Sequence, residues 1–116
     1  MNFFDDNYDY LISLLSDLVK QNTTNPPGNE YLCAEIVKKE FEKLNIPYKI
    51  FEKEQGRTNI IGEIGKGKKS IMIAAHLDVV PAGDGWNTNP FEATIKGDRI
   101  FGRGVLDDKG LMASLL

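Results

Sequence analysis

An α/β fold with a mixed sheet flanked by helices is predicted by three observations. Two amphipathic helical stretches open the chain, short isoleucine-rich strands follow, and a further helix begins at its end. The first helix is read from Tyr8, Leu11, Ile12, Leu15, Leu18 and Val19, which recur at three- and four-residue spacing, with Asp5 or Asp6 placed to cap its start. Residues 21–29, QNTTNPPGN, hold two prolines and a glycine after a polar run and are read as a loop whose Asn29 caps the next helix. That helix, roughly 30–44, puts Cys33, Ile36, Val37, Phe41 and Leu44 on one face, and Asn45 with Pro47 ends it. YKIFE (48–52), TNIIGEI (58–64) and SIMIAA (70–75) then read as strands; the last is apolar throughout, as a central strand covered on both faces would be. A pair at 92–96 and 99–102 flanks Gly97-Asp98, a combination suited to a tight hairpin turn. DKGLMASLL then starts a helix and the chain stops one or two turns into it, which predicts a truncated domain, because a half-made helix has little to stabilise it.

The 116 residues, 41% of them hydrophobic, suffice for one domain that buries roughly two-thirds of its unfolded surface. The 14 Lys and Arg against 17 Asp and Glu leave a formal charge of −3, so no overall basic field gathers nucleic acid or an anionic membrane. Cys33 is the only cysteine, which excludes an internal disulfide and a multi-cysteine zinc cluster and suits a reducing compartment. The start, MNFFDDNYDY, is acidic where a signal peptide needs a basic segment, and no stretch approaches the ~20 apolar residues of a spanning helix. The expectation is a soluble, unprocessed, cytoplasmic protein. There is no internal repeat and no low-complexity segment.

Two clusters carry chemistry. His76, the only histidine, ends the apolar strand in AAHLDVVP, and Asp78 follows two residues later. Residues i and i+2 of an extended chain face the same side, so the two side chains can touch. Functional groups of α/β sheets gather beyond the carboxyl ends of strands. A metal-bound imidazole commonly gives its other N–H to a carboxylate, and His-x-Asp supplies such a ligand and its clamp. A strand-end histidine hydrogen-bonded to an aspartate in the following turn is the plain alternative. The second cluster, GRGVLDDKG at 102–110, places two aspartates in a glycine-rich turn between a strand and a helix. A carboxylate there can reach His76 and bridge two metal ions ~3.5–4 Å apart, or Asp107 or Asp108 can cap the last helix at about 1 kcal/mol.

Together these clusters carry a resemblance. The span 72–110, MIAAHLDVVPAGDGWNTNPFEATIKGDRIFGRGVLDDKG, has H-x-D-V-V-P, a tryptophan and N-P-F before the hairpin, and G-R-G-x-x-D-x-K-G, while 25–30 reads NPPGNE. It resembles the zinc-dependent amidohydrolase and exopeptidase family that includes acetylornithine deacetylase, succinyl-diaminopimelate desuccinylase, aminoacylase, glutamate carboxypeptidase and related dipeptidases. The resemblance implies that residues 1–116 are the N-terminal part of a single zinc-exopeptidase-like catalytic domain. It further implies that His76 binds one zinc, that Asp78 orients His76, that Asp107 bridges two zincs, and that the Asp107-Asp108 peptide is cis, with Asp108 not a ligand. The D-D-K-G form is closer to the dipeptidase and carboxypeptidase branches. The general-base glutamate and the remaining ligands would lie beyond Leu116, so a fragment ending there is expected to be inactive. The activity implied is hydrolysis of a small peptide or N-acyl amino acid by a dizinc-activated water, with Co2+ or Mn2+ as alternative metals. A homodimer through a domain not present here is also implied. The rival expectation is a non-catalytic binding or regulatory relative on the same scaffold.

Other signals are set aside. GEIGKGKK at 62–69 nearly fits a phosphate-binding loop, but Lys69 stands where a hydroxyl must meet magnesium, and an apolar β-prone stretch follows where a helix is needed, so a lysine-rich hairpin turn is expected. Trp86, Phe91 and Arg103 are assigned packing and loop-holding roles, and Cys33 a place in the core.

Overall fold

The structure, a computed structural model, describes residues 3–116. It contains α1 (Phe3–Lys20), α2 (Tyr31–Lys43), β1 (Tyr48–Glu52), β2 (Thr58–Gly62), β3 (Thr94–Lys96), β4 (Arg99–Phe101) and α3 (Lys109–Leu115). The helices pack together: Leu14, Leu15, Leu18 and Val19 of α1 bury against Cys33, Ala34 and Val37 of α2 and Ala113 of α3, with Leu77 joining from the chain between the sheets. Tyr8, read as part of the apolar stripe, is exposed instead, as is Leu44 at the end of α2.

Helix boundaries differ from expectation at their starts. Asp5 and Asp6 lie inside the first turn of α1 rather than before it, where their charges complement the positive end of the helix. Glu30, not Asn29, is the N-cap of α2; Asn29 has a left-handed backbone, and Glu30 makes no cap hydrogen bond with its side chain. Its carboxylate instead accepts from Arg57 Nε at 2.8 and 2.9 Å, tying the β1–β2 turn to the start of the helix. The end of α2 is as expected. Asn45 sits at φ 54° while its N–H donates to Glu42 O and that of Ile46 to Phe41 O, the paired closure of a Schellman motif. Near this end the buried Glu40 accepts from the Tyr10 hydroxyl and from Lys43 at 2.6 Å. Burial disfavours its charge, but Lys43 and Tyr10 together outweigh that and hold its pKa below the usual carboxylate range.

The strands form two antiparallel ribbons, β1 with β2 and β3 with β4, and one isolated parallel bridge joins Thr24 to Val79. In the β3–β4 hairpin Gly97 alone of the two turn residues has positive φ, 61°, as the first residue of a type II′ turn does. Thus the α/β class holds as helices with small sheets. The central strand does not. Residues 70–75 pair with no strand among the described residues, and Ile71, Met72 and Ile73 are 91%, 89% and 70% exposed. An apolar run becomes a buried strand only when neighbours supply both the hydrogen-bond ladder and the covering faces, and the two short ribbons supply neither. For the same reason 62–69 is no hairpin turn: β2 ends at Gly62 and irregular exposed chain follows. No helix follows it either, in keeping with its rejection as a phosphate loop.

The loop before β3 is held as expected. The Trp86 indole N–H donates to Ala82 O at 2.9 Å, the Arg103 guanidinium donates to the same carbonyl at 3.2 Å, and the guanidinium stands 5.5 Å from the indole centre. The Arg103 N–H closes onto Pro90 O, and Phe91 N–H onto the Asn89 side chain. Cys33 is fully buried in the core, where loss of solvation pushes its thiol pKa up. No described helix is long and apolar enough to cross a membrane.

Leu18 is fully buried at the α1–α2–α3 seam. Leu18→Ala is expected to lower the unfolding free energy by roughly 2–5 kcal/mol, read as a lower urea midpoint at unchanged slope. A loss below about 0.5 kcal/mol, typical of surface positions, would show that this seam is not the core.

Candidate metal centre

The site begins with a short ladder. After α1 the chain turns back so that Val79 N–H donates to Thr23 O at 3.0 Å and Asn25 N–H donates to Val79 O at 2.8 Å. The buried Thr23 hydroxyl adds a bond to Leu77 O at 2.6 Å. This fixes 77–79 as extended backbone with Leu77 and Val79 buried, and alternation then turns His76 and Asp78 to the other side. The i, i+2 expectation is met: His76 Nδ1 lies 3.0 Å from Asp78 O and 3.3 Å from Asp78 Oδ1.

The second half is the 102–110 turn. Asp107 Oδ1 lies 2.9 Å from His76 Nε2, and Asp108 Oδ2 accepts the His76 backbone N–H at 3.2 Å. Asp108 occupies the N-cap of α3, yet its side chain makes no cap hydrogen bond there. Helix capping is therefore not what the two aspartates do; both turn to His76. The peptide between them is cis. Behind them Lys109 is fully buried: its N–H closes onto Gly104 O at 2.9 Å and its ammonium donates to Gln21 O at 2.7 Å, just past the end of α1. There the charge complements the negative end of that helix, while burial pushes the lysine pKa down. Gly110 completes the turn, because a Cβ at this position would run into the Val105 carbonyl oxygen.

The electrostatics follow from this geometry. Both ring nitrogens of His76 face acceptors. Burial opposes its charge, but the Asp107 hydrogen bond, the Asp78 carbonyl and the charges of Asp108 and Asp107 outweigh it and raise the pKa above the ordinary histidine value. The Asp78 carboxyl is held below its usual range, first by the hydrogen bond from Asn25 and then, against burial, by the positive charges of His76 and Arg57.

One imidazole nitrogen and one carboxylate oxygen thus converge on a solvent-facing point, the side chains being 50% and 84% exposed. Two ligands of a tetrahedral zinc, each bonded at ~2.0–2.2 Å, stand roughly 3.3 Å apart, so His76 and Asp107 need only a small opening to share an ion. Zinc sites take three or four protein ligands as a rule, and no group of three or more His, Cys, Asp or Glu is so gathered among the described residues. The donor set fits as part of a centre. His76, Asp78 and Asp107, all expected from sequence, are brought together. Asn25, Thr23 and Lys109 were assigned nothing from sequence, since a polar residue in a proline loop or a lysine beside aspartates gives no sign of a partner dozens of residues away.

Residues 72–116 match the model of the peptidase family M20/M25/M40. A probable succinyl-diaminopimelate desuccinylase of Staphylococcus epidermidis (strain ATCC 12228) is 41% identical over 108 residues, 90% of this chain and 26% of that protein. The probable enzyme of the same name from Staphylococcus aureus (strain MRSA252) is 37% identical over 107 residues, 90% of this chain and 26% of its own. The succinyl-diaminopimelate desuccinylase of Gluconobacter oxydans (strain 621H) is 35% identical over 105 residues, 88% of this chain and 27% of its own. The chain therefore spans about a quarter of the length of these curated relatives. The crystal structure of human carnosine dipeptidase 1 has the same fold over 97% of this chain and 28% of its own, with a TM-score of 0.80 at 22% identity. The resemblance carried by the motifs holds.

Two outcomes test the site. Because the His76 pKa is raised in the folded chain, its stabilising effect is fully present below the unfolded value of about 6.5 and is lost as pH rises through the higher folded value. Urea midpoints of the metal-free protein should fall across that interval, and His76→Gln should flatten the fall; a wild-type profile as flat as the variant's contradicts the ring's two acceptors. Gly110→Ala should displace the 105–110 turn and lower stability by about 1–3 kcal/mol, the usual cost of overpacking. A crystal structure with Asp107 Oδ1 unmoved from His76 would refute that.

Proposed function

We propose that this chain, a relative of the M20/M25/M40 peptidases, supplies the first ligands of a dizinc centre that hydrolyses an amide bond in a small peptide or N-acyl amino acid. The observation that carries the reading is the convergence of His76 Nε2 and Asp107 Oδ1, with Nδ1 of the same ring held by Asp78. His76 would hold one ion and Asp107 would bridge the two, while Asp78 fixes which ring nitrogen carries the proton so that Nε2 keeps its lone pair for the metal. Bound zinc would lower the pKa of a water towards about 7 and polarise the scissile carbonyl. Asp108, spent on the His76 backbone, stays off the metal, and the buried Lys109 holds the aspartate turn in place rather than meeting substrate.

With two donors gathered from these residues, the general base and the further ligands would come from outside them. The names of the relatives support this substrate class, which spans N-succinyl groups and dipeptides. Cobalt or manganese suits the mixed nitrogen and oxygen donors as well. The lone, buried thiol of Cys33 supports a reducing, cytoplasmic setting.

The test is metal content and hydrolysis of a panel of N-acyl amino acids and dipeptides by the native gene product. Two zinc ions and activity on at least one substrate are expected. His76→Ala should lower metal affinity by more than the ~10–100-fold that outer partners contribute, and the 116-residue chain alone should hydrolyse nothing above background. A native product free of metal, or a His76→Ala variant of unchanged activity, would overturn the reading.

A further inference from the structure

We infer that Asn25 is a positioning residue for the centre: its side-chain amide grips Asp78 at one carboxylate oxygen so that the other stays against His76 Nδ1. The role in metal binding rests on the function proposed above; the grip itself does not. Asn25 Nδ2 donates to Asp78 Oδ2 at 2.9 Å, across 53 residues of sequence, while Asp78 Oδ1 lies 3.3 Å from His76 Nδ1, beside the Asp78 backbone oxygen at 3.0 Å. An ionised carboxylate only accepts, so the amide group must present its NH2 here. A carboxylate held at Oδ2 cannot swing away from the imidazole without breaking a charge-assisted bond.

Asn25 is itself held. Its backbone N–H belongs to the 23–25 ladder against Val79, and Gly28 N–H closes the following turn onto Thr24 O at 2.8 Å. The side chain therefore starts from a backbone locked to the very segment that carries Asp78. The relay runs Asn25, Asp78, His76, with each member fixed by the one before. It gives the asparagine of the 25–30 loop a task beyond turning the chain.

His76 is the only histidine, so its ring protons can be read without ambiguity by NMR of the 116-residue chain. Below its pKa the ring carries both N–H groups, Nδ1–H facing the carbonyl and carboxylate oxygens of Asp78 and Nε2–H facing Asp107. In Asn25→Ala and in Asn25→Asp, the latter equal in shape but unable to donate, the Nδ1–H should exchange with water about ten-fold faster, the weight of one hydrogen bond to a charged group. The Nε2–H should keep its rate. Zinc affinity of the native gene product should fall about ten-fold in the same variants, the lower end for an outer partner. A Val79 amide still protected against exchange shows that the ladder has formed; if Asn25→Ala loses it, Asn25→Asp decides. Nδ1–H exchange unchanged in the folded variants, or both ring N–H groups quickened alike, would overturn the inference. A selective effect on Nδ1–H in a protein that binds no zinc would uphold the grip and defeat the metal reading alone.

Discussion

The arrangement depends on the short ladder between residues 23–25 and 77–79. Two backbone hydrogen bonds and the Thr23 hydroxyl fasten an otherwise unpaired stretch to the end of α1. Without them the stretch before Val79 would be tied to the helices only through Leu77 and the His76 contacts to Asp107 and Asp108, since 70–75 joins no sheet among the described residues. With them, Leu77 drops into the core and His76 and Asp78 turn outward together. The same corner of the molecule receives Lys109 at Gln21. One loop thus anchors both halves of the site.

The site balances opposing charges at close range. Three aspartates surround one imidazole, an arrangement that would be repulsive without the ring's positive charge and the Asn25 amide. Exposure of His76 and Asp107 keeps part of this field screened by water. A divalent cation between them would satisfy the same carboxylates more strongly than a proton on the ring does, because metal ions are usually the largest local charges in such sites.

Much of this was legible in the sequence, where the signal was local. Helix periodicity found α1 and α2, Asn45 with Pro47 marked a C-terminus that is in fact a Schellman closure, and Gly97-Asp98 marked the second hairpin. The i, i+2 relation of His76 and Asp78 is a property of any extended chain. The failures share a cause. Whether SIMIAA is buried depends on neighbours that its own residues do not specify, and no strand described here pairs with it. Helix starts slipped because Asp5, Asp6 and Asn29 have cap-prone side chains whose use depends on where the first turn begins. Asn25 and Lys109 were silent because their partners lie 53 and 88 positions away.

The central claim is that His76 and Asp107 hold one metal ion between them, and anomalous diffraction at the zinc edge from crystals of the native gene product grown with zinc tests it most directly. The account predicts a peak within bonding distance of His76 Nε2 and an Asp107 carboxylate oxygen, with Nδ1 still on Asp78. A zinc peak elsewhere, with the His76–Asp107 contact intact and no metal between, would contradict it.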